Sequence, residues 1–353
     1  MQIERLTIRD FRNYPEWTVD WPAEGLIVTG PNGTGKTNLL EAVAYLATGR
    51  SVRRHSDTTL IRHGAGGFRI EGRCQVGQRS LRITAGYGPG STKSIRIDDV
   101  PVTLLSELYQ YLRVIYFSPD DGNLISGSPM YRRRFLDLAV TQCYLDYLPA
   151  YRLYEQTHRQ RNAILESETS GSEKHAWDER YLEQSLIVSE LRRRYLNDFI
   201  PLFQSRYAGI ADHESPSIQY IPGGGSPGEN LPAIAKRVAT SEIRRRHCMY
   251  GPHLDNLEIT LDDRPARIYA SQGQRRSLSL ALRLAQAEMV RQTRHDSPIL
   301  IFDDALSELD AHRVEQLRLH LAPGHQIIIA TPNPEIYACF QLQTLQIPSV
   351  VRT

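Results

Sequence analysis

Cysteine is scarce in this 353-residue chain: Cys74, Cys143, Cys248 and Cys339 stand far apart and make no CxxC pair. That spacing argues against a disulfide framework and a structural zinc, and it suits a reducing compartment. Lysine is nearly absent too. Lys36, Lys93, Lys174 and Lys236 are the only four, so arginine carries almost all the positive charge. No apolar run approaches the roughly 18 residues of a membrane helix. The N-terminal segment, with Glu4 and Asp10, has no signal-peptide core. A soluble, cytoplasmic protein with no membrane role is expected. Repeats and low-complexity tails are also missing. The net charge of +2 is too small to declare a nucleic-acid binder, although arginine runs recur at 132–134, 192–194 and 244–246. With 41% hydrophobic and 23% charged residues the composition is that of an ordinary globular protein, long enough for two or three structural units.

What the chain does have is organised around Gly30-Pro31-Asn32-Gly33-Thr34-Gly35-Lys36-Thr37. Two glycines spaced for a phosphate loop precede Gly-Lys-Thr. The apolar run Leu26-Ile27-Val28 before them reads as a buried strand, and 38–46 has helical spacing. In such a loop, backbone N–H groups and a helix N-terminus converge on phosphate. Lys36 is expected to reach the β- and γ-phosphates, and the Thr37 hydroxyl to ligate Mg²⁺.

Residues 1–100 read mainly as strands, with alternation at Trp17, Val19 and Trp21, at Phe68, Ile70, Cys74 and Val76, at Leu81, Ile83 and Ala85, and at Ile95 and Ile97. They predict an antiparallel layer beside the nucleotide-binding sheet. From about 128 to 212 the spacing turns helical, notably over Arg132–Leu148 and Trp177–Ile200, and a further helix is expected over Leu231–Arg246. These stretches are too short for an extended coiled-coil arm and predict a compact inserted lobe. Strands return at Leu257–Leu261, Ile299–Phe302 and Gln326–Ala330, with helices over Ser277–Gln292 and near Ala311–Leu321.

Ile299-Leu300-Ile301-Phe302 ends in Asp303-Asp304. The first carboxylate at such a strand end holds Mg²⁺, often through water, and the second is placed to orient the attacking water. Ser307-Glu308-Leu309-Asp310 follows at the start of the next helix. Upstream, Ser271-Gln272-Gly273-Gln274-Arg275 opens the Ser277 helix with a hydroxyl and free N–H groups suited to a γ-phosphate, though a plain helix cap reads equally well.

In this order, the three features resemble the ATP-binding-cassette ATPases, in particular their chromosome-maintenance and DNA-repair branch. Asp10-Phe11-Arg12-Asn13-Tyr14, Gly49-Arg50-Ser51-Val52-Arg53, Phe117-Ser118-Pro119-Asp120, Arg132-Arg133-Arg134-Phe135-Leu136-Asp137, Gly251-Pro252-His253-Leu254-Asp255 and 280–286 resemble, within that branch, the RecF family. The resemblance covers nearly the whole chain. It implies an α/β fold: an ATPase head over 1–125 and 250–353 with an antiparallel β layer, and a helical lobe inserted over 126–249. It also implies an ATP-dependent head-to-tail homodimer. Gly30, Pro31, Asn32, Gly33, Thr34, Gly35, Lys36 and Thr37 would then bind ATP in cis, and Ser271, Gly273 and Gln274 would contribute from the partner. Thr37 and Asp303 would hold Mg²⁺, Asp304 would position water, and Arg12 and Asn13 would lie near the nucleotide. Further implied are slow, DNA-stimulated ATP hydrolysis acting as a timer, binding to single-stranded or gapped DNA, partnership with RecR and RecO, loading of recombinase at gaps, and support of the SOS response. The arginine runs are the expected DNA contacts.

Two departures from the wider cassette pattern bear on rate. The second carboxylate is Asp304 rather than a longer Glu, and Ala330-Thr331-Pro332 stands where many cassettes carry a histidine. Thr331 is a poor base. A DNA-binding module whose ATP only stabilises a dimer is the competing reading. A transporter motor is disfavoured by the arginine-rich insertion, and a GTPase by the lack of an NKxD motif.

Overall fold

The computed structural model describes all residues except 54, 89, 91, 92, 168–170, 212, 307–310 and 348–353. The Ser307–Asp310 segment therefore lies outside the described residues. The chain divides into two compact units, Met1–Asp120 with Arg283–Thr353, and Asp121–Leu282.

The first unit is built on two sheets with helices packed on them. Five strands form a parallel sheet in the order Gln343–Gln346, Gly25–Thr29, Ile327–Thr331, Ile299–Asp303, Val114–Phe117. The inner strands are apolar runs rather than alternating ones, as expected of strands covered on both faces. Ile299–Asp303 is buried at every position. Six strands form an antiparallel sheet in the order Tyr14–Asp20, Gln2–Phe11, Phe68–Val76, Arg79–Tyr87, Ser94–Ile97, Val100–Pro101. The sequence alternation marks most of these strands. The first strand, Gln2–Phe11, sits second in the sheet although its pattern was not singled out. Between the two sheets lies the helix Lys36–Thr48, whose positions 39–47 are all buried, as suits a helix covered on every side. Its contact with the antiparallel sheet is close: a Cβ on Gly72 would meet Leu46 Cδ1 at 2.6 Å.

The second unit is mostly helical. Its helices run over Pro129–Cys143, Tyr147–Glu166, Ser172–Ala208 and Leu231–Arg245, and a three-stranded sheet joins Pro216–Ile221, Asn256–Leu261 and Arg264–Pro265. The expected helix Arg132–Leu148 is in fact two, because Tyr144 takes an extended conformation before Tyr147 starts the next. The expected Trp177–Ile200 helix extends to 37 residues, about 55 Å of helix. Among the described residues no helix is long and apolar enough to cross a membrane.

The arginine runs, the expected DNA contacts, meet different fates. Arg192 is fully buried, paired with Asp255 and Asp137, and donates to Pro252 O at 2.8 Å and Tyr147 Oη at 2.9 Å. Arg132 is buried too, donating to the Asn256 side chain at 3.0 Å and to Gly127 O at 2.9 Å. In the runs 132–134 and 192–194 helical periodicity turns one member inward, and a buried guanidinium must find acceptors. Arg244, Arg245 and Arg246 are exposed.

Candidate nucleotide site

The loop Gly30–Gly35 joins the strand Gly25–Thr29 to the helix Lys36–Thr48. Gly35 has φ 111°, and a Cβ there would meet Asn13 Nδ2 at 2.4 Å, so only glycine fits beside that side chain. The loop is braced from outside by the turn after the first strand. Asn13 Nδ2 donates to Thr34 O at 2.9 Å, Asn38 Nδ2 donates to Asn13 Oδ1 at 2.8 Å, and Tyr14 Oη donates to Gly35 O at 3.0 Å. Lys36 reaches back into the loop, its Nζ donating to Gly30 O at 2.7 Å and Pro31 O at 3.0 Å. Burial pushes its ammonium pKa down, opposed by the nearby Asp304 and Asp303.

Thr37 and Asp303, 266 residues apart in the chain, meet here: Thr37 Oγ1 donates to Asp303 Oδ1 at 2.8 Å. Tyr116, on the neighbouring strand, donates its hydroxyl to Asp303 Oδ2 at 2.7 Å. Burial raises the Asp303 carboxyl pKa, and the hydrogen bonds from Tyr116 and Thr37 work the other way. A hydroxyl and a carboxylate, both hard oxygen donors, make a set that suits Mg²⁺. Asp304 follows with a left-handed backbone, φ 53°, its N–H donating to Ala330 O at 3.1 Å. Thr331, at the end of the strand between the loop strand and the acid strand, is buried and accepts the Asn333 N–H at 3.1 Å.

Arg12 forms a two-pronged ion pair with Glu41 at 2.9 and 3.2 Å and donates to Thr59 O at 3.3 Å. Glu41 is completely buried and also accepts from Ser51 Oγ at 2.5 Å. Ser271, Gly273 and Gln274 belong to the second unit, at the start of the helix Gln272–Arg294. There Ser271 N–H donates to Gln274 Oε1 at 2.7 Å and Gln274 N–H donates to Ser271 Oγ at 3.2 Å, a reciprocal capping box. Gln274 Nε2 also donates to Glu214 at 2.7 Å.

Over residues 2–341 the chain matches the family described as the RecF/RecN/SMC N-terminal domain. It is 34% identical over 345 residues to the DNA replication and repair protein RecF of Desulfitobacterium hafniense, covering 95% of this chain and 94% of that one. The chain belongs to the RecF family. A solved structure of the recombination mediator protein RecF with ATP, of the RecFOR pathway, superposes with a TM-score of 0.86 at 25% identity, covering 93% of this chain and 91% of that one. An SMC head bound to the C-terminal winged-helix domain of ScpA shares the fold, with a TM-score of 0.57 at 17% identity over 96% of this chain and 91% of that one. The RecF-family fold thus brings the phosphate loop, Thr37, Asp303, Asn13 and the Arg12–Glu41 pair into one unit. Sequence reading assigned no site role to Tyr116, Asn38 or Glu41, although Asn38 and Glu41 lie in the stretch 37–42 that continues the phosphate loop and shares in the family resemblance. Tyr116 had one signal: it sits in an apolar strand, where a lone hydroxyl needs a partner.

Proposed function

We propose that this RecF-family chain is an ATP-driven switch on DNA in replication and recombinational repair. The observation that carries the reading is Asp303, held between Thr37 of the phosphate loop and Tyr116. That contact brings the phosphate loop and the acid strand together, an arrangement that suits a phosphate and a metal ion. In this reading the ATPase head comprises 1–125 and 250–353, with 126–249 as the lobe. The Ser271 segment then works with the head although it lies in the second compact unit.

The loop from Gly30 to Thr37 wraps the ATP phosphates with its N–H groups, and the Lys36 ammonium held inside it meets the β- and γ-phosphates. Thr37 and Asp303 are the residues that would hold Mg²⁺, which when bound offsets phosphate charge. Asp304 orients the attacking water. Asn13 acts by fixing the loop, and Arg12 by anchoring the turn that carries Asn13. In a head-to-tail homodimer, Ser271, Gly273 and Gln274 of the second copy approach the γ-phosphate. Their helix start suits an anion, because free N–H groups and the positive dipole end gather there.

ATP closes the dimer on single-stranded or gapped DNA, and slow hydrolysis releases it. RecR and RecO are the partners, recombinase loading at gaps and SOS support are the outcome, and the compartment is the cytoplasm. The relatives' role in repair and the ATP-bound RecF structure support this reading. A second reading, in which ATP stabilises the dimer without useful turnover, is favoured by the short Asp304 and by the buried Thr331 hydroxyl. Linkage decides whether the nucleotide and DNA are coupled: if ATP tightens DNA binding, DNA must tighten ATP binding by the same factor. ATP affinity is measured with and without gapped DNA, and equal values rule out the switch. Multiple-turnover phosphate release stimulated by DNA separates the two readings.

A further inference from the structure

The outer face of the six-stranded sheet carries charges that the nucleotide site does not use. Alternation along the strands buries Ile3, Leu6, Ile8, Ile70, Leu81 and Ile83 on the inner face. It leaves Arg5, Arg9, Arg69, Arg73, Arg82 and Arg96 exposed on the other. The register aligns them. Arg5 lies opposite Arg73, and Arg73 opposite Arg82, so three arginines form one row across three adjacent strands. Arg9 lies opposite Arg69 in a second row four residues further along, about 13 Å away.

Like charges directly opposite one another destabilise a sheet. Carboxylates relieve part of this cost: Asp20 pairs with Arg5 at 2.6 Å, Glu16 with Arg9 at 2.9 Å, Glu71 with Arg69 at 3.1 Å and Asp99 with Arg82 at 2.5 Å. These pairs are solvent-exposed, and such pairs contribute about 0–1 kcal/mol and yield readily to a competing anion. Arg73, in the middle of the triple row, and Arg96 make no ion pair among the described residues.

We propose that this face binds the phosphate backbone of duplex DNA. The inference rests on the DNA-binding reading above and names where on the head the duplex lies. Guanidinium forks match phosphate oxygens. The arginine rows are completed by Asp20, Glu16, Gly86 and Ser94, and the row between them holds Thr18, Thr7, Glu71, Thr84 and Arg96, so no aromatic ring is available to stack bases. Single-strand binding surfaces rely on such rings, and their lack here selects duplex over single strand. The rows are about 13 Å apart, which compares with the major-groove width of about 12 Å. Each row therefore meets phosphates on one side of a groove. Contacts of this kind carry no base reading, so binding is independent of sequence.

The test is fluorescence anisotropy of the full chain with a labelled 30-base-pair duplex over a salt series. Wild type is compared with the triple variant Arg5→Ala, Arg73→Ala, Arg82→Ala and with the triple lysine variant at the same positions. The alanine triple is expected to lose at least about tenfold in affinity at low salt. Its salt slope should fall by about 2–3, since each phosphate contact contributes about 0.9. The lysine triple should stay near wild type, and ATP affinity should not change in either. An alanine triple that binds the duplex like wild type overturns the assignment while leaving the switch reading in place. Failure of wild type to bind DNA overturns both. Loss of binding to phosphatidylserine vesicles with duplex binding intact would assign the face to lipid and overturn the proposal. If the alanine triple also loses ATP, the unpaired Arg73→Ala alone decides, with an expected slope change of about 0.9.

Discussion

Arg12 is expected to lie near the nucleotide, its guanidinium grips Glu41, and substituting it separates the two roles. Glu41 is completely buried and, among the described residues, keeps the Ser51 hydroxyl as its hydrogen-bond donor if Arg12 is removed. Breaking a buried pair from one side strands an uncompensated charge, at a cost of about 3–5 kcal/mol. Arg12→Ala should therefore lower stability by roughly that amount. With an m-value of about 3 kcal/mol per M urea, the unfolding midpoint should fall by about 1 M or more. Trp17 and Trp21 lie in the same unit and report the transition by fluorescence. Glu41→Gln should cost less, because the amide still accepts a bond and Arg12 is the more exposed partner, at 14% against 0%. Arg12→Lys should fall between wild type and Arg12→Ala, since an ammonium keeps the charge but cannot supply the two-pronged fork. ATP affinity should weaken in proportion to the loss of loop bracing, through the turn that carries Asn13. A variant Arg12→Ala that keeps its urea midpoint within about 0.3 M while losing ATP affinity would refute the reasoning and place Arg12 on the nucleotide itself.

Four further outcomes follow, three from the nucleotide site and one from the second unit. Lys36→Ala should weaken ATP binding by about 10- to 150-fold, the equivalent of the roughly 1.5–3 kcal/mol of a charged hydrogen bond, as read by nucleotide titration. Asp304→Asn should accumulate an ATP-bound dimer, so sedimentation showing only monomer with ATP counts against the sandwich. Burial raises the Asp303 pKa, and ligating Mg²⁺ requires the carboxylate, so Mg²⁺-dependent ATP binding should weaken as pH falls through that raised pKa. The Tyr116 hydrogen bond lowers that pKa, so Tyr116→Phe should move the onset of weakening to higher pH, and an onset unmoved or shifted to lower pH would contradict the assignment. Arg192→Ala should destabilise the second unit by about 3–5 kcal/mol without reducing the salt slope of DNA binding, because a fully buried guanidinium touches no phosphate.

The geometry of the candidate nucleotide site was legible wherever local order carries the chemistry. The glycines and Lys36 of the loop, and the acid pair at the end of an apolar strand, announce themselves by spacing. Asp303 could be paired with Thr37 because cassette order fixes which strand end faces which loop. Tyr116 and Glu41 were not legible, since their roles depend on which strands and turns become neighbours. Glu41 is an ordinary helix residue until the Arg12 turn folds over it. The arginine runs divide between inside and outside for a related reason. A run along a helix points in several directions, whereas Arg5, Arg73 and Arg82 lie 68 and 9 residues apart and align only through register. The capping box at Ser271 was an open alternative to phosphate binding and is the arrangement found. A hydroxyl that accepts an N–H can still turn its own proton toward an anion, so the two roles are compatible.

The strand order sets a timetable for synthesis. The phosphate-loop strand Gly25–Thr29 has both of its neighbours, Ile327–Thr331 and Gln343–Gln346, near the other end of the chain. At about 5–20 residues per second, a ribosome takes about 15–60 s to travel from one to the other. Throughout that interval the loop has no sheet behind it and Thr37 has no Asp303 to meet. A nascent or truncated chain should therefore be unable to hold a nucleotide. Competence for ATP arrives late and all at once, so nucleotide binding doubles as a check that translation has run past residue 346.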